Sequence, residues 1–491
     1  FLHQEYLFKE LQEIAKKKEK YGQSTAQKKK VMVEFTDPNP FKEFHIGHLY
    51  SNTVGESLSR LLEAQGAQVK RANYQGDVGL HVAKAVWGMQ KSLEGQHLSL
   101  KELEKKDLSE RVKFLGHSYA KGDQAYETRS AKEEIETLNT KIFANDKVIQ
   151  ALYEKGRKWS LKYFEYIYKR LGTKFDYYYF ESEVGNIGKK LVEKGMTKGI
   201  FEKSQGAVIF PGEKYGLHSR VFINSKGLPT YEAKELGLAP TKYKDFKYDL
   251  SLVITGNEIV DYFKVLLAAL KEMNPELAEK TKHLSHGMVR FPEGKMSSRT
   301  GNVVTGEEVI EEVKSRVRSI MKSSGSEIPQ KEQAAESIAV GAIKYSLLRV
   351  SLGRDIAFDF EKSLNLQGES GPYLQYTYAR CKSILRQSSF AKLSFGKLSL
   401  AKLSIEEERI LRLLYRFPEM ARDAAESFSP NIVCSFVFDV AQAYNNFYNI
   451  HRVLQAETKE KKNFRILLTT ATAHIIQNSL KLLGIKTLEH M

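Results

Sequence analysis

The strongest constraint on the fold is a strand–helix–strand pattern near the front of the chain. "KKKVMVEFT" (28–36) has the unbroken apolar run of a strand buried on both faces. "IGHLYSNTVGESLSRLLEAQG" (46–66) has helical periodicity and stops at Gly66. "QVKRANYQGD" (68–77) reads as a second strand. Strand, helix and strand within fifty residues make a βαβ unit, which requires a parallel sheet covered by helices.

The sequence predicts a longer α/β domain around that unit. From about 98 to 195 it is mostly helical and highly charged, and we read this stretch as an insertion in a nucleotide fold. Strands return at "GAVIF", "RVFIN", "YDLSLVITG" and "HLSHGMVRF". Beyond about 306 the apolar residues recur almost only at helical spacing, and "RQSSFAKLSFGKLSLAKLS" (386–404) reads as an exposed linker. The 491 residues are too many for one core, so two to four domains are expected. Segments 1–29 (helical remnant or linker), 30–305 (catalytic), 306–365 (helical connector) and 366–491 (helical bundle) are the expected divisions.

Charge and cysteine content narrow the partners. Lys and Arg number 76 against 60 Asp and Glu, an excess of 16 that suits a polyanion such as RNA. Two cysteines, Cys381 and Cys434, form neither a disulfide framework nor a zinc cluster, which fits a reducing, cytoplasmic setting. No apolar run approaches the ~18–20 residues of a membrane span, and the first twenty residues match neither a secretory signal nor a transit peptide.

Two short motifs carry chemistry. In "NPFKEFHIGH" (39–48), His45 and His48 flank Gly47 where a strand gives way to a helix. Helix N-termini attract anions, Gly47 admits a nucleotide against the backbone, and two imidazoles there can follow charge onto phosphate oxygens. In "GKMSSRTG" (294–301), Lys295, Met296, Ser297, Ser298 and Arg299 form a cationic, hydroxyl-rich loop suited to a departing pyrophosphate.

"HIGH" followed by "KMSSR" resembles the paired signatures of class I aminoacyl-tRNA synthetases. "VEFTDPNPFKEFHIGHLYSNTVGESLSRLLEAQGAQVKRANYQGDVG", "GESGPYLQYTYARCKSIL" (368–385), "YNNFYNIHRVL" (444–454) and "LLGIKTLEHM" (482–491) resemble segments of the arginyl-tRNA synthetases in the same order, from about residue 30 to 491. The resemblance implies a Rossmann-like catalytic domain, a helical anticodon-binding domain, and arginine activation with ATP and Mg²⁺ before transfer to tRNA(Arg), with the first step dependent on bound tRNA. It implies catalytic roles for His45, His48 and Lys295. ATP would be held by these residues with Gly47, Gly256, Met288, Met296, Ser297, Ser298 and Arg299. Arginine would be held by Glu34, Asn39, His45, Tyr231, Glu235 and Ile259. tRNA would meet Tyr376, Arg380 and Met491; Tyr378 on the same helix competes for that role or packs in the core. A monomer is expected.

The chain departs from the family at three places. Glu235 stands in "PTYEAKELG" where Asp is usual, Ile259 where Gln is common, and only some thirty residues precede the first strand, where the family carries an elbow-binding domain. The first two changes leave open a catalytically impaired RNA-binding relative. A small-molecule nucleotidyltransferase, which shares the histidine turn, is the other alternative.

Overall fold

The computed structural model describes residues 3–25, 28–96, 99–291, 304–323, 329–388 and 403–491. Among the described residues ten strands form three sheets: β1 (Lys30–Glu34), β2 (Gln68–Gln75), β3 (Tyr177–Phe180), β4 (Glu202–Ser204), β5 (Ala207–Phe210), β6 (Arg220–Ile223), β7 (Leu250–Gly256), β8 (Thr281–His286), β9 (Val289–Arg290) and β10 (Ile356–Ala357). The main sheet has the order β3-β2-β1-β7-β8 and is parallel throughout. Glu34, the last residue of β1, lies level with Ala72 on one side and Val253 on the other. The strand order reverses between β1 and β7, and ligands of open parallel sheets bind at such a switch, beyond the carboxyl ends of the strands.

Two strand readings need correcting in detail. β3 lies inside the stretch read as mostly helical, yet it pairs with β2 at the edge of the main sheet. "YYYF" is aromatic and short, so nothing in its periodicity separates it from the end of the preceding helix, Lys147–Leu171. "GAVIF" and "RVFIN" do form strands, but β4, β5 and β6 make a separate antiparallel sheet.

Helix α1 (Gln4–Lys17) precedes β1, α2 (Ile46–Ala64) joins β1 to β2, and α3 (Leu80–Gln96) follows β2. Together with Leu100–Lys105, Leu108–Ala125, Arg129–Phe143 and Lys147–Leu171, α3 encloses a core of its own that includes Trp87 and Trp159. The larger core runs from β1 and α2 into the C-terminal helices Gly371–Gln387, Asn431–Ile450 and Lys459–Leu482. α1 joins this core: Phe8 meets Phe464 edge-on, with ring centroids 5.6 Å apart. No described helix is long and apolar enough to cross a membrane.

Candidate active site

The turn after β1 is held in an unfavourable backbone conformation. Thr36 and Asp37 have φ of 81° and 43°, a region that costs a non-glycine residue, above all a β-branched one, about 1–3 kcal/mol. Buried polar partners impose it. Thr36 N donates to Ser51 Oγ (2.9 Å), Asn52 Nδ2 to Thr36 Oγ1 (3.0 Å), and Thr173 Oγ1 to Asn52 Oδ1 (2.8 Å). Asp37 Oδ1 accepts from Tyr74 N at 2.7 Å. Phe41, also at positive φ, is fixed by Ser160 Oγ, which accepts from its N–H at 2.9 Å. A Cβ on Gly156 would lie 2.2 Å from the Phe41 ring, so only glycine admits that ring against the helix. The charged insertion thus braces the signature turn.

His45 and His48 cap α2 reciprocally. His45 Nδ1 accepts from Gly47 N at 3.1 Å, and His48 Nδ1 accepts from His45 N at 3.2 Å. Their rings stack with centroids 3.6 Å apart. Burial pushes His45 down to about 4 and His48 well below the usual imidazole range, so both are neutral near pH 7. A neutral ring whose Nδ1 accepts carries its proton on Nε2. The caps therefore set the tautomer and leave two Nε2–H donors. Glycine at position 47 also keeps the cap open: a Cβ there would sit 3.0 Å from the His45 ring.

The other strand ends complete the site. His286 ends β8 and its ring lies 4.4 Å from that of Tyr50 on α2. Gly256 ends β7, where a Cβ would collide with the Glu258 carboxylate at 2.1 Å. Ile259 and Met288 are both solvent-exposed, Ile259 directly before the helix Val260–Met273. Asn39 reaches the end of β2, where a Cβ on Gly76 would lie 2.3 Å from its Oδ1. Lys295, Met296, Ser297, Ser298 and Arg299 lie outside the described residues. The chain that follows them is described and returns to the histidine turn: Ile46 N donates to Val304 O (3.3 Å), Gly306 N donates to Phe44 O (2.7 Å), and Thr305 bridges to His45.

The ends of β1 and β2 and the helix Tyr231–Asp245 gather a cluster of interacting carboxyls. Glu34 is buried and already paired with Lys242 Nζ at 2.5 Å. Glu181 is paired with Lys234 at 2.6 Å, and Asp77 with Arg157 at 2.8 Å. Asp37 and Glu235 have no cation within ion-pair distance among the described residues. Burial, then the Glu34 charge, pushes Glu235 up to about 8; burial and Glu34 raise Asp37 as well. Tyr231 and Glu235 are four residues apart on one helical face, Tyr231–Asp245. Asp37 and Glu235 are thus left for a cation from outside, and a planar guanidinium matches a carboxylate flanked by an aromatic ring, although one cation, Lys234, already lies 4.8 Å from the Tyr231 ring. Sequence reasoning placed Glu34, Asn39, Tyr231 and Glu235 here but missed Lys242, Asp37 and His81. His81 Nε2 meets Gly76 O at 2.8 Å, so its Nδ1 is left to accept from Tyr231 OH at 3.1 Å. No motif marks His81, whose partner is 150 residues away.

A second cluster of the expected residues lies among the C-terminal helices. A cavity of about 740 Å³ is lined by Tyr376, Arg380, Tyr448 and Met491 among others. Arg380 lies between two rings, 4.9 Å from Tyr376 and 4.8 Å from Tyr448. Tyr376, Arg380 and Met491 thus come together, whereas Tyr378 turns into the core with 3 % of its surface exposed.

Comparisons with known proteins place the chain in a family. The family described as tRNA synthetases class I (R), catalytic domain, matches residues 10–360, and the DALR anticodon binding domain matches 374–491. An arginine–tRNA ligase of Treponema denticola is 34 % identical over 496 residues, covering 98 % of this chain and 82 % of that protein. One from Parabacteroides distasonis is 31 % identical, covering 95 % and 81 %. The fold is similar to the Thermus thermophilus arginyl-tRNA synthetase, with TM-score 0.79 at 23 % identity, covering 98 % of this chain and 86 % of that one. With both domains matched in order along nearly its whole length, the chain belongs to the arginyl family of class I tRNA synthetases.

Proposed function

We infer that the chain is an arginine–tRNA ligase, which forms arginyl-adenylate from arginine and MgATP and passes arginine to the terminal adenosine of tRNA(Arg). The observation that carries this reading is the pair of Nε2–H donors set by the His45–His48 cap, in a chain that also leaves Asp37 and Glu235 without an ion-pair partner among its described residues. In the first step arginine's carboxylate attacks the α-phosphorus and pyrophosphate leaves. Charge grows on the phosphate oxygens, and two pre-set neutral donors stabilise it without reorganisation. Lys295 and its neighbours are proposed to hold the leaving pyrophosphate; the return of Val304 to Ile46 ties the end of that segment to the histidine turn. Glu235 and Tyr231 are proposed to take the guanidinium, with His81 orienting the Tyr231 hydroxyl. Asn39 is proposed to take the α-amino and carboxylate end. No side-chain nucleophile is needed, so the chain's contribution is placement. In the second step the adenosine hydroxyl, the 2′ one by family resemblance, attacks the arginyl carbonyl and releases AMP.

Residues 30–305 are proposed as the catalytic part, 306–365 as the connector and 366–491 as the anticodon-binding part. Tyr376 and Tyr448 offer faces on which an unpaired base can stack, and Arg380 offers donors to its edge. Loss of base stacking costs about 1–3 kcal/mol, so Tyr376→Ala is expected to weaken tRNA binding by roughly 5- to 150-fold with the arginine and ATP KM values unchanged. Filter binding together with steady-state kinetics checks this. tRNA affinity is also expected to fall linearly on a log–log plot against salt; a flat plot would remove the polyanion reading of the charge. Charging assays with each of the twenty amino acids test the whole assignment. Arginine alone is expected to be attached, and attachment of another amino acid, or of none, would overturn it.

A further inference from the structure

Arg380 is held in the C-terminal cavity without a counter-ion. Its guanidinium lies 4.9 Å from the Tyr376 ring and 4.8 Å from the Tyr448 ring. Its Nη1 donates to Asn445 Oδ1 at 2.5 Å, and among the described residues this is its one hydrogen bond. Glu489, the only acidic side chain on the cavity wall, is already paired with Lys382 at 2.9 Å. Arg380 therefore keeps its charge, and the donors on Nη2 and Nε, for whatever enters the cavity.

The Asn445 amide that holds it is not free to turn. Asn445 lies on the helix Asn431–Ile450 and meets Thr377 and Arg380 of the helix Gly371–Gln387. Thr377 is fully buried, and its hydroxyl donates to Tyr373 O, one turn back, at 2.8 Å. That bond uses the single hydroxyl proton, so towards Asn445 the oxygen can only accept. Of the two ends of the amide, only the nitrogen can supply that bond, and Asn445 Nδ2 does so at 2.9 Å. The carbonyl oxygen is thereby turned to Arg380. A backbone carbonyl fixes a hydroxyl, the hydroxyl fixes an amide, and the amide fixes a guanidinium. Tyr448 stands three residues from Asn445 on the same helix, so one helix face supplies both the acceptor and a ring.

The acceptor is neutral. A carboxylate at this position would grip the guanidinium more strongly, but it would cancel the charge and has no proton to give Thr377. An amide holds the cation in place and leaves its charge to a polyanion.

We propose that Asn445 is a positioning residue of the anticodon site, which sets the Arg380 guanidinium beside the two rings and leaves its charge for RNA. The proposal rests on the reading above, in which Arg380 meets an unpaired base.

The test measures tRNA(Arg) transcript binding by filter retention, over a range of salt, for wild type, Asn445→Ala, Arg380→Ala, the double variant and Asn445→Asp. Asn445→Ala is expected to weaken binding about tenfold, and Arg380→Ala at least as much. The double variant is expected to lie within about twofold of Arg380→Ala alone, because Asn445 acts through the guanidinium. A purely structural role would make the two losses multiply, and multiplied losses overturn the proposal. Asn445→Asp keeps the shape of the side chain, so it remains decisive if the alanine variant fails to fold. It neutralises one cation, so the slope of log affinity against log salt is expected to become shallower by about 0.7–0.9. An unchanged slope in Asn445→Asp also overturns the proposal. Arg380→Ala with wild-type affinity would strike the anticodon reading of the cavity itself, and the role of Asn445 with it.

Discussion

His48→Asn is expected to slow arginine-dependent pyrophosphate exchange by about 10²- to 10³-fold, the usual cost of one transition-state donor, while tRNA affinity stays within about twofold of wild type. Asn is chosen over Ala for a physical reason. His48 Nδ1 caps the backbone N–H of His45, and the Asn oxygen occupies nearly the same place, so the cap survives and only Nε2–H is lost. His48→Ala removes the cap too and adds a stability cost of about 0.5–2 kcal/mol. Comparing the two by rapid-quench adenylate formation and thermal unfolding separates donor from cap. Equal loss of rate and tRNA affinity in His48→Asn would take the imidazole out of the chemistry. Both histidines are held below the pH range of the assay by burial, so neither is expected to add a step to the rate profile between pH 6 and about 8.

Glu235→Gln is expected to raise the arginine KM by roughly 30- to 1000-fold, because a buried guanidinium would lose its ionic acceptor at about 2–4 kcal/mol. The pH dependence supplies an independent check. With its carboxyl raised to about 8 in the free pocket, Glu235 is mostly protonated at pH 7. Arginine binds the carboxylate, so binding releases a proton. Affinity therefore rises with pH, by up to about tenfold per unit, and levels off above about 8. The Gln variant cannot release that proton and its profile is expected to be flat across the same range. A wild-type arginine KM that does not change from pH 6.5 to 8.5 would mean that Glu235 is not the guanidinium acceptor.

The departure at Glu235 looks different once its surroundings are known. The nearby Glu34 is taken up by Lys242, so the carboxyls left without a cation are Glu235 on the helix Tyr231–Asp245 and Asp37 just past the strand end. Sequence position alone could not show this, because Glu34 and Lys242 are 208 residues apart. The strained Thr36–Asp37 turn was equally hidden. Its cause is a set of hydrogen bonds to Ser51, Asn52 and Tyr74, residues unremarkable in themselves. Tyr376 and Tyr378 show the same limit from the other side. Two tyrosines two positions apart on a helix face different ways, and which one reached the cavity depended on where the neighbouring helices lay.

By itself the sequence determined the parallel sheet, the capping turn with its two imidazoles, the helical second half and the family. These rest on local periodicity and on short motifs whose residues act within a few positions of one another. Only the tertiary structure decided which nitrogen of each histidine carries the proton and which carboxyls are left without a cation. The second of these depends on a buried carboxylate finding its partner 208 residues away. The cost of leaving such a group unsatisfied is set by the assembled interior and has no local signature in the chain.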